Sequence, residues 1–170
     1  FVAGVNAGNS ITSGGNYNTL IGDEAGTALT TGDDNVAIGF EALKTEDEHG
    51  RNVAVGYQSL KTLNAGALAV TTTVGYKSGT SLTTGVQNVL IGGLSGDALT
   101  DADFNVAVGN NTLTTDTKGN KSTAIGYEAL TTQNFSTSTD SFNTAVGFQS
   151  GASVTTGTSN TLLGARSGDA

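Results

Sequence analysis

A short apolar run ending in glycine returns along this chain about every 17 residues, with polar, turn-forming residues between one run and the next. The string is Asn-x-(Ala/Leu)-(Ile/Val)-Gly. It stands as NTLIG at 18–22, NVAIG at 35–39, NVAVG at 52–56, NVLIG at 88–92 and NVAVG at 105–109. STAIG at 122–126, NTAVG at 143–147 and NTLLG at 160–164 follow, TTTVG at 71–75 is a weaker copy, and FVAG at 1–4 is a truncated one. The ten anchoring glycines, Gly4 to Gly164, are separated by 18, 17, 17, 19, 17, 17, 17, 21 and 17 residues. A short β-branched strand, a glycine and a turn-rich return make one coil of a β-solenoid, which buries its core by stacking on its neighbours. No segment sustains the i, i+3, i+4, i+7 spacing of a helix. The pattern therefore predicts an all-β, parallel β-solenoid of about ten 17-residue coils over residues 1–170, a single repeat domain read as a segment of a longer fibre. At about 4.8 Å per coil the rod is roughly 45 Å long.

Each copy continues alike. Three residues after the glycine stands a small side chain: Ala7, Ala25, Ala42, Ser59, Ser78, Ser95, Thr112, Ala129, Ser150 or Ser167. The residue after that follows a longer rhythm. In chain order it reads Gly8, Gly26, Leu43, Leu60, Gly79, Gly96, Leu113, Leu130, Gly151, Gly168. Where it is glycine, an aliphatic residue appears three places on, as in Ile11, Leu29, Leu82, Leu99 and Val154. Each coil is expected to keep one core-filling aliphatic residue drawn from one of these two positions. Leu20, Leu90 and Leu162 replace the usual strand alanine in the same four-coil phase, and duplication of a four-coil unit accounts for the rhythm.

Strand side chains alternate between faces. The residue before the glycine is aliphatic in nearly every copy (Ile21, Ile38, Val55, Val74, Ile91, Val108, Ile125, Val146, Leu163) and is expected to face the core. One residue earlier, on the other face, stand Leu20, Ala37, Ala54, Leu90, Ala107, Ala124, Ala145 and Leu162. A strand apolar on both faces is buried on both, and a lone coil has one inside. The second face then calls for copies of the same chain around a symmetry axis, with small Ala residues permitting close approach. The Asn residues that open the motif are expected to ladder along the rod. Aromatics border the strands: Phe40, Tyr57, Tyr76, Tyr127 and Phe148 follow the glycine, and Tyr17, Phe104 and Phe142 precede the motif. Packing between coils and a carbohydrate-stacking stripe are both open readings of them, the first favoured.

Composition narrows the function classes. The chain has 25 Gly and no Pro, Cys, Met or Trp, which excludes disulfides, thiolate metal sites and thiol nucleophiles. A net charge of −8 argues against nucleic acid as a partner, and no apolar run is long enough to span a bilayer, so no membrane insertion is expected. Nothing resembles a signal peptide, neck, stalk or anchor.

The strings NVAIGFEAL, NVAVGYQSL, STAIGYEAL and NTAVGFQSG resemble repeats of bacteriophage tail fibres and other viral fibre proteins. The core NVAIG-x-x-(A/S) is also similar to the left-handed β-roll repeat in the heads of trimeric autotransporter adhesins. The resemblance covers all ten copies. It implies a left-handed β-roll, a homotrimer about a common axis and an extracellular place on a virion or cell surface. The coils here are longer than the adhesin pattern and carry the four-coil rhythm.

Chemistry is faint. The one histidine, His49, lies in the charged connection Glu46-Asp47-Glu48-His49-Gly50-Arg51 and reads as a solvated loop residue. Asp97, Asp101 and Asp103, like Asp33 and Asp34, lack the ligand spacing of a calcium loop. The threonine pairs shift from coil to coil, which argues against a flat ice-matching array. No catalytic, cofactor-binding or metal residue is therefore expected, no cofactor, and no enzyme activity. The expected role is a structural fibre segment, with contact to host glycan or protein through the most irregular connections, 61–71 and 131–142. An adhesin head and a self-assembling extracellular filament are the alternatives.

Overall fold

The computed structural model describes residues 3–169. It is all-β, with no helix among the described residues, and stacks as a parallel β-solenoid of about nine turns. Nine three-residue strands form one sheet: β1 (Thr19–Ile21), β2 (Val36–Ile38), β3 (Val53–Val55), β4 (Thr72–Val74), β5 (Val89–Ile91), β6 (Val106–Val108), β8 (Thr123–Ile125), β10 (Thr144–Val146) and β11 (Thr161–Leu163). Every pair is parallel and in motif register, as in Val36↔Val53. The longer spacings do not shift it: Val53 still meets Thr72, and Thr123 meets Thr144. The extra residues are extruded. In the second of these connections β9 (Thr139–Asp140) pairs with β7 (Gly119–Asn120) in a small second sheet. The count of ten becomes nine strands because the first copy begins with Phe1 and Val2, outside the described residues. Its Ala3 carbonyl still accepts the Gly22 N–H at 2.6 Å, so the ladder reaches that far.

The glycine column is dictated by the stacking. Each has positive φ, from 109° at Gly4 to 143° at Gly109. From Gly22 to Gly147, an added Cβ would lie on the carbonyl of the next coil's glycine. Three further positions per coil are left-handed. These are the residue before the motif (Phe104, φ 61°), the second after the glycine (Glu41, 53°) and the fourth after it, whether Gly26 (58°) or Leu43 (49°).

Inside and outside are the reverse of the sequence expectation. The strand's middle residue points inward: Ala37, Ala54, Leu90, Ala107, Ala124 and Ala145 have no exposure. The residue before the glycine points outward, and Val74, Ile91 and Ile125 remain more than a third exposed. The small alanines therefore line the coil's own interior and do not serve close approach of another chain. Both apolar columns look alike in a strand; the narrow lumen of a 17-residue coil takes the smaller one.

The expectation of one aliphatic filler per coil also changes. Leu43, Leu60, Leu113 and Leu130 are buried, yet the position three residues on is buried in those coils too, holding Glu46, Leu63, Asp116 and Gln133. The four-coil rhythm follows from volume. A Cβ on Gly79 or Gly96 would lie 3.0 or 2.9 Å from the Leu90 side chain, and one on Gly151 or Gly168 would lie 2.8 Å from Leu162. Gly8 and Gly26 make the same room for Leu20. A strand Leu takes two Gly around it, and Ala37, Ala54, Ala107 and Ala124 each go with a Leu in the return, which keeps the core filled.

Candidate functional site

The feature that stands open is the outward face of the sheet. Its third-position column is aliphatic throughout, from Ile21 to Leu163, and its first-position column is Val or Thr in all nine strands. No charge interrupts either column. At about 4.8 Å per strand it is a stripe roughly 40 Å long, the kind of contiguous apolar patch that marks an interaction surface.

The aromatic residues after the glycine flank this stripe and stack. Phe40, Tyr57 and Tyr76 follow one another with ring centroids 5.3 and 5.5 Å apart, and Tyr127 and Phe148 lie 5.4 Å apart. Lys77 lies over the Tyr76 ring and Arg166 over Phe148. The faces between neighbouring rings are thereby spent on each other, and Tyr76 and Phe148 also meet cations. Packing between coils is what they do here, and a sugar would find mainly ring edges. Gly93 and Asn110 interrupt the ladder in the two coils between.

The asparagine ladder forms, mainly through backbone. Asn18 Oδ1 accepts the Asn35 N–H at 2.9 Å, Asn35 Oδ1 the Asn52 N–H at 3.0 Å, and Asn88 Oδ1 the Asn105 N–H at 2.9 Å. Their amide nitrogens turn to carbonyls fourteen residues on, as Asn88 does to Ala102 and Asn105 to Gly119. Only Asn143 and Asn160 bond amide to amide. The threonine hydroxyls are likewise engaged: Thr30, Thr83 and Thr100 donate to carbonyls of the next coil. Hydroxyls held this way serve the stack.

The two irregular connections share one design. Leu63 and Ala65 anchor the first, Gln133 and Phe135 the second, and each projects an exposed tip, 66–68 and 136–138. A buried carboxyl clips each anchor. Glu46 Oε2 accepts the Ala65 N–H at 3.2 Å, and Asp116 Oδ1 accepts the Phe135 N–H at 3.1 Å. Asp116 is further held by the Lys118 and Gly119 N–H groups and, at 2.6 Å, by the Gln133 amide, which also reaches Ser122 and accepts from Asn143. Sequence reading missed these buried polar positions; the signal was their place, seven residues after the glycine, where other coils carry an aliphatic residue.

The calcium-like aspartates do not converge. Asp33 and Asp103 each accept a backbone N–H from the preceding coil, Asp97 accepts the Thr114 hydroxyl, and Asp101 pairs with Lys118 at 3.6 Å. The connection around His49 is less solvated than expected. Glu46 is wholly buried, the His49 side chain is 27% exposed, and burial pushes the Glu46 carboxyl up from its ordinary range. Glu46, Asp47 and His49 each bring a ligand atom within 4.8 Å of the others. No family model, curated protein or solved structure matches the chain.

Proposed function

We propose that this chain is a structural segment of an extracellular fibre in which three copies bury their outward sheet faces about a shared axis. The observation that carries the reading is the uncharged apolar stripe along the whole rod. Because the stripe runs parallel to the stack, copies related by an axis along the rod each present it identically, coil against coil. Three copies, the left-handed β-roll and the phage or viral tail fibre come from the resemblance of the NVAIGFEAL-type repeats. The role is mechanical and non-catalytic. The tips at 66–68 and 136–138 are the surfaces free for host contact, since they project from the stack. The adhesin head differs in what lies beyond the repeat and places the same face in the same interface.

Light scattering coupled to size-exclusion chromatography tests this. The expected mass is three times the 16.9 kDa of the chain. Changing Ile38 and Ile91 to Glu should yield single chains with an unchanged β-type circular dichroism spectrum. A folded wild-type monomer would sink the interface, and a dimer would sink the three-fold arrangement while keeping the face.

A further inference from the structure

We propose that Glu46, Asp47 and His49 bind a divalent cation of the zinc class, which closes the 46–49 turn in the return of the β2 coil. The site is independent of the fibre reading. His49 Nδ1 lies 3.5 Å from Glu46 Oε1. That is long for a hydrogen bond, but close to the roughly 3.3 Å ligand-to-ligand edge of a tetrahedron with metal bonds of about 2.0–2.1 Å. Asp47 completes a set of three ligand atoms within 4.8 Å.

A second observation points the same way. His49 Nδ1 is closed off from solvent and has no hydrogen-bond partner, and enclosed polar atoms rarely stay unpaired. The duplicated unit supplies an internal comparison. Asp116 stands 70 residues after Glu46, in the same place in its coil. It accepts three backbone N–H groups and the Gln133 amide, and the residue facing it in place of His49 is Gly119. Glu46 accepts backbone N–H groups, those of His49 and Ala65 foremost, with no side-chain amide among its donors and no Lys or Arg paired to it among the described residues. One unit satisfies its buried carboxyl with protein donors; the other leaves lone pairs facing an imidazole nitrogen. Asp47 is oriented by its bond to the Glu48 N–H at 2.7 Å, and its partial exposure with that of His49 gives an ion a way in. One imidazole and two carboxylates suit zinc, with water in a fourth position, whereas calcium takes six or more oxygens.

His49 is the only histidine, so a long-range proton–nitrogen NMR correlation of its ring reads the site directly. Zinc chloride titrated into the full chain should bind with one high-affinity equivalent by calorimetry and move the Nδ1 resonance, reversibly with a chelator. His49→Ala should weaken that binding about tenfold or more while leaving the circular dichroism spectrum unchanged. No binding up to millimolar zinc, or equal affinity in the variant, would overturn the site. Should the variant misfold, the wild-type resonance decides: an Nδ1 unmoved by zinc overturns the proposal.

Discussion

At the scale of single residues, the glycine that closes each strand is required twice, by its own φ and by its neighbour's carbonyl. Gly92 has φ 134°, and a Cβ there would overlap the Gly109 carbonyl. Gly92→Ala should therefore cost more than a left-handed penalty of about 1–2 kcal/mol, reaching about 3 kcal/mol or more in urea unfolding. Glu41 is a second residue with a definite signature. Lys44 and Lys61 each donate to it at 2.7 Å, as does the Gln58 amide. These bonds, Lys44's foremost, hold its carboxyl down to about 2, from an ordinary 4.5. A depressed carboxyl stabilises the fold fully above its unfolded pKa and loses that contribution as pH falls through its folded one. Stability from this group should decline from about pH 4.5 towards pH 2, and Lys44→Ala should shrink the difference in urea midpoint between about pH 6 and pH 3.

Between elements, core volume is shared by strand and return. Leu90 fills the space that Gly79 and Gly96 leave, whereas Ala37 and Ala54 go with Leu43 and Leu60. Leu90→Ala should cost about 2–5 kcal/mol. Adding Gly96→Leu should restore part of that loss, because four native coils already carry Leu in the same left-handed place, and chemical denaturation of both variants reads the recovery. Much of the architecture could be read from the recurrence alone: strand positions, parallel stacking, the Asn ladder and the extruded connections. Which apolar column faced inward could not, since Ala37 and Ile38 are both apolar and alternation gives no sign. The decisive clue was the joint change of Leu20, Leu90 and Leu162 with their paired glycines, which reports lumen volume. The cluster at Glu46 escaped for another reason. A charged run in sequence reads as solvated, and only the coil register reveals that its first member occupies a core position.

For the whole molecule, one sheet runs through every described coil and each coil touches only its neighbours, so stability builds by nearest-neighbour terms. The two four-coil units differ where it matters for chemistry. Leu63 stands where Gln133 does, and the Asn52 amide nitrogen is left buried without a partner. The first tip, Gly66-Ala67-Leu68, is apolar, while the second, Ser136-Thr137-Ser138, is hydroxylated. The two units keep one scaffold and differ in their projecting and clipped residues.

The in-register ladder also fixes how the rod answers tension. Strands lie across the axis and their hydrogen bonds along it, so a pull on the two ends loads every rung in series. The weakest rung sets the breaking force. Once it opens, a 17-residue coil that occupied about 4.8 Å of axis is freed to span roughly 60 Å of extended chain. Each coil the rod surrenders lengthens more than tenfold, so a sudden load is dissipated one coil at a time while the rest of the stack keeps its register.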